Sequence, residues 1–162
     1  MEHVRKRFTI GVLVSGITDE FTEYICKGVL QAAKMQDVNV VILPGKYLDR
    51  DLSENRDLMY EYQYSTVFSY VKKENIDAIV AATDCIGCYT DTERMKRMMG
   101  QYEGIPCVLI ASKIEGYAGV TFDNYGGIRE GLEYLIDKVG CRRFGMVGGP
   151  ESNTDAFERK TA

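Results

Sequence analysis

The sequence predicts an α/β fold in which a parallel sheet carries helices on both of its faces. Apolar, strand-like runs alternate with amphipathic, helix-like segments along the 162 residues. The first run, FTIGVLV at residues 8–14, is apolar at almost every position, as expected for a strand that is buried on both faces. The segment after it repeats its apolar residues at helical spacing. Such alternation is typical of a parallel sheet.

The elements that flank this first run follow the same logic. A helix is predicted at residues 18–36, where Thr18 can cap the first turn. The acidic residues Asp19 and Glu20 suit the positive end of its dipole. The run VNVVIL then predicts the second strand at 38–43.

The middle of the chain begins with a polar stretch at 44–57, which predicts a long loop, and continues with a predicted helix at 58–75. The same alternation of apolar runs and polar breaks predicts the next elements. These are a strand at 76–82, a loop at 83–91, a helix at 92–102 and a strand at 105–112.

The last part of the chain predicts a short fifth strand at 120–122 and a helix that Asn124 can cap and that runs through Lys138. The run RRFGMVGG predicts a sixth strand at 142–149, and the polar tail after it has the start of another helix.

Composition narrows the class of protein. The formal net charge is -4, and the basic residues are scattered, which argues against a nucleic-acid surface. Five cysteines, an odd number, fit free thiols in a reducing cytosol better than a disulfide framework, so we expect a cytoplasmic protein. We also expect no membrane association, since no apolar run is long enough to span a bilayer.

Candidate functional residues lie where the predicted strands end, because ligands of open parallel sheets bind at the carboxyl ends of the strands. Such loops can also be polar only because they face water. Phe21 or Tyr89 could stack on a ring, and Arg159 could make bidentate hydrogen bonds. The strand-end residues are Ser15, Gly16, Asp19, Thr83, Asp84, Ser112 and Asp123.

Motifs for catalysis are mostly missing. The loop SGITDEF lacks the glycines of a dinucleotide-binding fingerprint, and no phosphate-cradling P-loop is present. His3 is the only histidine, which argues against a histidine-based triad or metal site. Cys85 and Cys88 have the spacing of a redox motif, and a redox enzyme is one alternative. We expect binding rather than catalysis, with no cofactor and no metal.

The segment at residues 119–160 strongly resembles the middle of the ligand-binding domain of LacI/GalR-type regulators. That family shows a V-x-x-D-N-x-x-G step from strand to helix, a Gly-Gly-Pro turn, and an arginine about nine residues later. The first strand and helix also agree in layout, so the resemblance covers the whole chain. The matching residues are Val120, Asp123, Asn124, Gly127, Leu135, Ile136, Gly140, Arg142, Arg143, Gly148, Gly149, Pro150 and Arg159.

The resemblance implies a periplasmic-binding-protein-like fold of type I. Residues 1–122 would form the N-terminal lobe, and residues 123–162 would be the crossover and an incomplete beginning of the second lobe. Phe122, Asp123 and Asn124 would lie at the hinge. Carried over by position, the ligand contacts would be Ser15, Gly16, Asp19, Phe21, Thr83, Asp84, Ser112, Asp123, Asp155 and Arg159.

Some features depart from the family pattern. Only seven residues precede Phe8, where a typical LacI-type regulator has a helix-turn-helix headpiece, so we expect no direct nucleic-acid contact. Several stretches look closer to the sensory domains that precede GGDEF diguanylate cyclase modules. Ala111-Ser112-Lys113 stands where the family often has an acidic and then a basic residue, which argues against a typical sugar ligand.

The resemblance therefore implies a cytoplasmic, homodimeric sensor domain of a bacterial regulator. A sugar, nucleoside or purine-like ligand would bind between two lobes and control an output module, either a diguanylate cyclase or a DNA-binding domain. Two alternatives come from the same fold: the ligand-binding core of a LacI-family repressor, and the solute-binding protein of a sugar transporter.

Overall fold

The computed structural model describes residues 7–51, 58–149 and 153–162. These residues belong to two compact units, Met1–Val120 and Thr121–Ala162. The division falls just before the predicted one at residue 122. Residues 52–57 of the predicted loop, Pro150 and His3 lie outside the described residues.

The first unit is built on a parallel sheet of five strands in the order β2-β1-β3-β4-β5. This sheet and its flanking helices confirm the predicted fold class. The strands are β1 (Thr9–Val14), β2 (Asn39–Pro44), β3 (Ala78–Ala81), β4 (Cys107–Ile110) and β5 (Ala118–Val120).

Helices cover both faces of this sheet. Successive residues of a strand point to opposite faces, so a strand that is apolar at almost every position needs cover on both sides. On one face, Val12 and Val14 pack with Cys26 of helix α1 (Glu20–Gln36). The other face holds the larger core and packs against a 3-10 helix (Glu61–Tyr70), helix α2 (Thr83–Ile86) and helix α3 (Thr92–Gly100). Its buried members include Leu13, Leu43, Phe68, Ile79, Ile86, Met99 and Leu109.

The segment at 58–75 forms a 3-10 helix over Glu61–Tyr70 instead of the predicted α-helix. Its sequence EYQYSTVFSY is rich in aromatic and β-branched residues, which lower α-helix propensity. In addition, the hydroxyl groups of Thr66 and Ser69 each donate to the carbonyl oxygen three residues earlier, both at 2.7 Å. These bonds follow the spacing of a 3-10 helix.

Both predicted helix caps are wrong by one residue. Asp19, not Thr18, caps α1: its Oδ1 accepts from the backbone N–H of Thr22 at 2.8 Å. Asp123, not Asn124, caps helix α4 (Asn124–Tyr134) in the same way, with the N–H of Gly126 as donor at 2.8 Å. In each case a carboxylate, the stronger acceptor, stands beside the residue that the sequence favoured.

Two further boundaries differ from the prediction. The predicted loop at 83–91 begins with α2, whose N–H groups at Ile86 and Gly87 bond back to Ala82 and Thr83. Strand β5 spans Ala118–Val120 instead of 120–122. Val120 already pairs with Ile110, the last residue of β4, so residues 121 and 122 have no strand residue of β4 beside them.

The second unit contains α4 (Asn124–Tyr134), a π-helical turn (Leu135–Val139) and α5 (Thr154–Thr161). The sixth strand predicted at 142–149 does not form, and that prediction is wrong. Residues 142–149 have no strand beside them among the described residues of this unit, and a strand needs a partner for its N–H and C=O groups. Phe144, Met146 and Val147 are therefore exposed.

The second unit also lacks a hydrophobic core among the residues that the structure describes. Asn124 is its single buried residue, and every buried apolar side chain belongs to the first unit. In the described ranges, no helix combines the length and apolar character needed to cross a membrane.

Candidate ligand-binding site

The carboxyl ends of β1, β3 and β4 bring three predicted site residues to one edge of the sheet. Ser15 follows β1 and is buried, and Thr83, only 1% exposed, follows β3. The hydroxyl of Thr83 shares a hydrogen bond with the hydroxyl of Ser112, which follows β4. Residues distant in sequence thus converge, because parallel strands end at the same edge.

The backbone bends sharply where β4 ends. Ala111 is buried and has a φ of 59°, in the left-handed region that side chains other than glycine rarely adopt. This conformation costs about 1 kcal/mol and gives the chain the turn that places Ser112 against Thr83. Backbone strain of this kind is typical of functional edges.

The loop after β1 presents an open, acidic surface. No atom would meet a side chain added at Gly16, and Asp19 and the ring of Phe21 are exposed. Asp19 uses Oδ1 for the helix cap, which leaves its second oxygen able to accept a hydrogen bond from a ligand. The pKa of Tyr47 is raised first by burial, then by Cys88, Tyr89 and the Asp19 carboxylate, which indicates that the loops after β1 and β2 are close.

A cluster that the sequence analysis missed lies beside this loop. The rings of Tyr47 and Tyr89 meet edge to face, with centroids 5.4 Å apart. The guanidinium carbon of Arg50 is 5.5 Å from the centroid of Tyr47 and 5.7 Å from that of Tyr89. We call these three residues the aromatic box. The sequence predicts Tyr89 as a stacking residue, whereas Tyr47 and Arg50 lie in the stretch at 44–57, for which it predicts only a polar loop.

Arg50 is held in the aromatic box by an ion pair from the 3-10 helix. Its guanidinium lies 3.4 Å from Oε2 of Glu61, and the ammonium group of Lys46 lies 3.5 Å from Oε1 of the same carboxylate. The carboxylate of Glu61 is only 14% exposed. Two cations therefore share one anion that is mostly shielded from solvent, which fixes Arg50 more firmly than a fully exposed pair would.

The two cysteines of the predicted redox motif are poor nucleophiles. Burial, with the Asp84 carboxylate as the next cause, raises the pKa of Cys85 to about 12 and also raises the pKa of Cys88. Because the thiolate is the reactive form, these shifts disfavour redox chemistry at neutral pH.

We predict that Cys85 reacts very slowly with iodoacetamide in the folded chain. At pH 8 a thiol with a pKa of about 12 holds about a thousandfold less thiolate than an ordinary thiol. Alkylation should be slower than that of glutathione by about this factor and should rise with pH up to about 12. Mass spectrometry of the Cys85 peptide measures the rate, with the urea-unfolded chain as the control. A Cys85–Cys88 disulfide formed in a glutathione buffer would contradict this prediction.

The second unit brings together three of its predicted residues. Nε of Arg159 donates to Oδ1 of Asn124 at 2.8 Å, and its Nη2 lies 3.4 Å from Oδ2 of Asp155. Arg159 is thus oriented by two neighbours. Asp123 acts as the cap of α4, and Phe122 is exposed.

The apolar side of α4 forms a groove of about 640 Å³ with the segment around Phe144 and the end of α5. The walls of the groove are mostly apolar, and Arg159 is one of the residues that line it. The residues that line it include Ile128, Leu132, Leu135, Phe144, Met146 and Arg159.

No group of three or more His, Cys, Asp or Glu side chains suited to a metal ion occurs within residues 7–51, 58–149 and 153–162.

Comparison with known proteins gives a fold but no sequence family. No protein-family profile matches the sequence, and no curated protein matches it. Solved structures do match, and the similarity extends over almost the whole of this chain.

Three of these structures are representative. The trehalose repressor from Escherichia coli is 19% identical, with a TM-score of 0.67 over 95% of this chain and 52% of its own. The lac repressor dimer bound to operator and the anti-inducer ONPF is 17% identical, with a TM-score of 0.71; the match covers 98% of this chain and 50% of the repressor chain. A periplasmic binding protein/LacI transcriptional regulator from Alkaliphilus metalliredigens QYMF, complexed with D-xylulofuranose, is 20% identical, with a TM-score of 0.64 over 94% and 49%.

The parallel five-stranded sheet with its helices therefore has the LacI-like periplasmic-binding-protein fold. The chain spans about half the length of the solved structures that it matches.

Proposed function

We propose that this chain is the small-molecule-sensing part of a bacterial regulator and that it performs no catalysis. The observation that carries the proposal is the carboxyl edge of the sheet. There the hydroxyls of Thr83 and Ser112 share a hydrogen bond, and the loops that carry Asp19, Tyr47 and Tyr89 follow neighbouring strands. Carboxylates and hydroxyls placed beside aromatic rings are the groups that recognise a hydroxylated or heterocyclic ligand.

The pKa shifts also favour binding over acid–base chemistry. Burial raises the pKa of thiols and phenols such as those of Cys85 and Tyr102. The hydrogen bond from the Thr90 hydroxyl is the chief cause that lowers the pKa of the Asp49 carboxyl. All of these shifts lead away from neutrality, whereas a general acid or base works best with a pKa near the working pH.

The wider setting rests on the resemblance and on the structural neighbours. Two of those neighbours are named as repressors, and one is described as a dimer bound to operator. By analogy, the ligand is a sugar, nucleoside or purine-like molecule held between two lobes of a cytoplasmic homodimer. The ligand then shifts an open–closed equilibrium and controls a diguanylate cyclase or a DNA-binding module.

A second candidate is the solute-binding protein of a sugar transporter. It is favoured by one neighbour, described as a periplasmic binding protein/LacI transcriptional regulator complexed with D-xylulofuranose. The two candidates share the ligand edge and differ in location. Fractionation of cells that express the native gene separates them, because a transporter component is exported and a regulator stays inside.

We expect a thermal-shift screen of sugars, nucleosides and purines to find a ligand. At ten times its Kd, a ligand adds about 1.4 kcal/mol of stability, which raises the Tm by about 3–6 °C. Asp19→Asn keeps an oxygen for the helix cap but removes the charge, and it should weaken binding about tenfold. Asp37→Asn, at the opposite end of the sheet, is the matched control and should bind normally. A screen in which no compound raises the Tm would remove the main support for a sensor.

A further inference from the structure

The aromatic box joins two loops that the sequence keeps far apart. Tyr47 and Arg50 follow β2, Tyr89 follows β3, and β1 lies between these two strands in the sheet. The box therefore stands at the carboxyl edge directly beside the loop of Asp19. The pKa of Tyr47 is raised first by burial and then by Cys88, Tyr89 and Asp19, which agrees with this placement.

Part of the ring surface in the aromatic box remains exposed. Tyr89 is 54% exposed although it contacts both other members. A guanidinium has five N–H donors, and the contact of Arg50 with Glu61 uses one of them. An incoming planar ring can stack on the exposed part of the Tyr89 ring that Arg50 does not cover, and its nitrogen or carbonyl acceptors can then take hydrogen bonds from the adjacent guanidinium. Because Glu61 already holds Arg50, the ligand does not have to order this side chain.

The neighbouring loop selects against a phosphate. The amino end of α1 would ordinarily attract an anion, but Asp19 already caps it and Glu20 and Glu23 occupy its first turn. Glu23 is paired with Lys27, whose ammonium group lies 2.6 Å from its carboxylate. The carboxylates of Asp19 and Glu20 repel a phosphate, whereas they accept hydrogen bonds readily from hydroxyl groups. At the same edge Ser112 supplies a partly exposed hydroxyl, which the buried Thr83 holds in place through their shared hydrogen bond.

We propose that the aromatic box recognises the base of an unphosphorylated nucleoside, whose ribose hydroxyls face Asp19. Tyr89 is the stacking platform, Tyr47 supports it from the side, and Arg50 reads the polar edge of the base. This inference rests on the proposed function and narrows its ligand class from sugars, nucleosides and purines to nucleosides.

The test is saturation-transfer NMR on the full chain with adenosine, cytidine, ribose and AMP as probes, since it detects weak binding. We expect adenosine and cytidine to bind at least tenfold more tightly than ribose and AMP. The base protons should receive more saturation than the ribose protons. Tyr89→Leu should weaken adenosine binding about tenfold. Tyr89→Phe, which keeps the ring, should bind almost normally, and this rescue separates loss of stacking from loss of folding.

Tyr70→Leu is the matched control, because Tyr70 is equally exposed but lies at the end of the 3-10 helix, toward the start of β3. It should leave adenosine binding unchanged. The inference would be overturned if ribose bound as tightly as adenosine and Tyr89→Leu had no effect. It would also be overturned if sugars bound but no nucleoside did. Either result would leave the sensor proposal standing. AMP binding as tightly as adenosine would overturn the selection against phosphate. If the thermal-shift screen and all four probes find no binding, both proposals fail.

Discussion

Leu109→Ala is expected to lower the free energy of unfolding by about 3–4 kcal/mol. Leu109 is 0% exposed in β4 and belongs to the larger core, together with Ile79 of the neighbouring strand. Removing its branched end loses buried apolar area and leaves a cavity that a close-packed core cannot fill. Because a domain of this size is stabilised by about 5–15 kcal/mol, the loss is a large share of the total. Urea unfolding followed by circular dichroism measures it.

The adjacent residue supplies the matched control. Val108 points to the other face of β4 and is 37% exposed, so Val108→Ala should cost less than about 1 kcal/mol. The two substitutions lie on the same strand and differ mainly in burial. Equal losses for Leu109→Ala and Val108→Ala would show that the core is not where the structure places it.

Hydrogen exchange should differ greatly between the two units of the full chain. We expect protection factors above about 10⁴ for amides of β1 and β3, which are buried in the sheet, because they open only when the first unit unfolds. Amides of α4 and α5 should be protected by less than about 100-fold, because their unit buries no apolar side chain among its described residues. Exchange followed by NMR or mass spectrometry gives both values.

Helix α1 is the internal control for this comparison. Like α4, it is amphipathic and has one face toward solvent, but it buries Cys26 and Ala33 against the sheet. Its inward amides should exchange at rates close to those of β1. If α4 exchanged as slowly as α1, the second unit would have a stabilising surface that the described residues do not show, and our account of it would be wrong.

The sequence predicted the first unit well for a physical reason. Strands buried on both faces, such as VNVVIL and IDAIVAA, are almost wholly apolar, and the helix between the first two has apolar residues at helical spacing. These patterns are local, so they can be read without neighbours. The segment RRFGMVGG shows the limit: it has the composition of a strand, but a strand exists only where another one pairs with it.

The candidate site was predictable in part. The rule that ligands bind at strand ends predicted that Thr83 and Ser112 lie at the same edge of the sheet, and their hydrogen bond agrees with this placement. The rule succeeds because it depends only on strand direction. Tyr47 and Arg50 could have been suspected as an aromatic and an arginine in a loop after a strand. Their contacts with Tyr89 could not, because those contacts depend on which strands are neighbours and on how two loops fold over the edge.

The sequence by itself determined the parallel α/β architecture and the edge of the sheet at which the candidate site residues lie, because hydrophobic periodicity and chain direction are properties of contiguous residues. Only the tertiary structure decided which side chains meet at that edge. The strand order β2-β1-β3 sets the loops of Tyr47 and Tyr89 on either side of the loop of Asp19. Free energy from packing distant segments selects that order, and no single segment contains it.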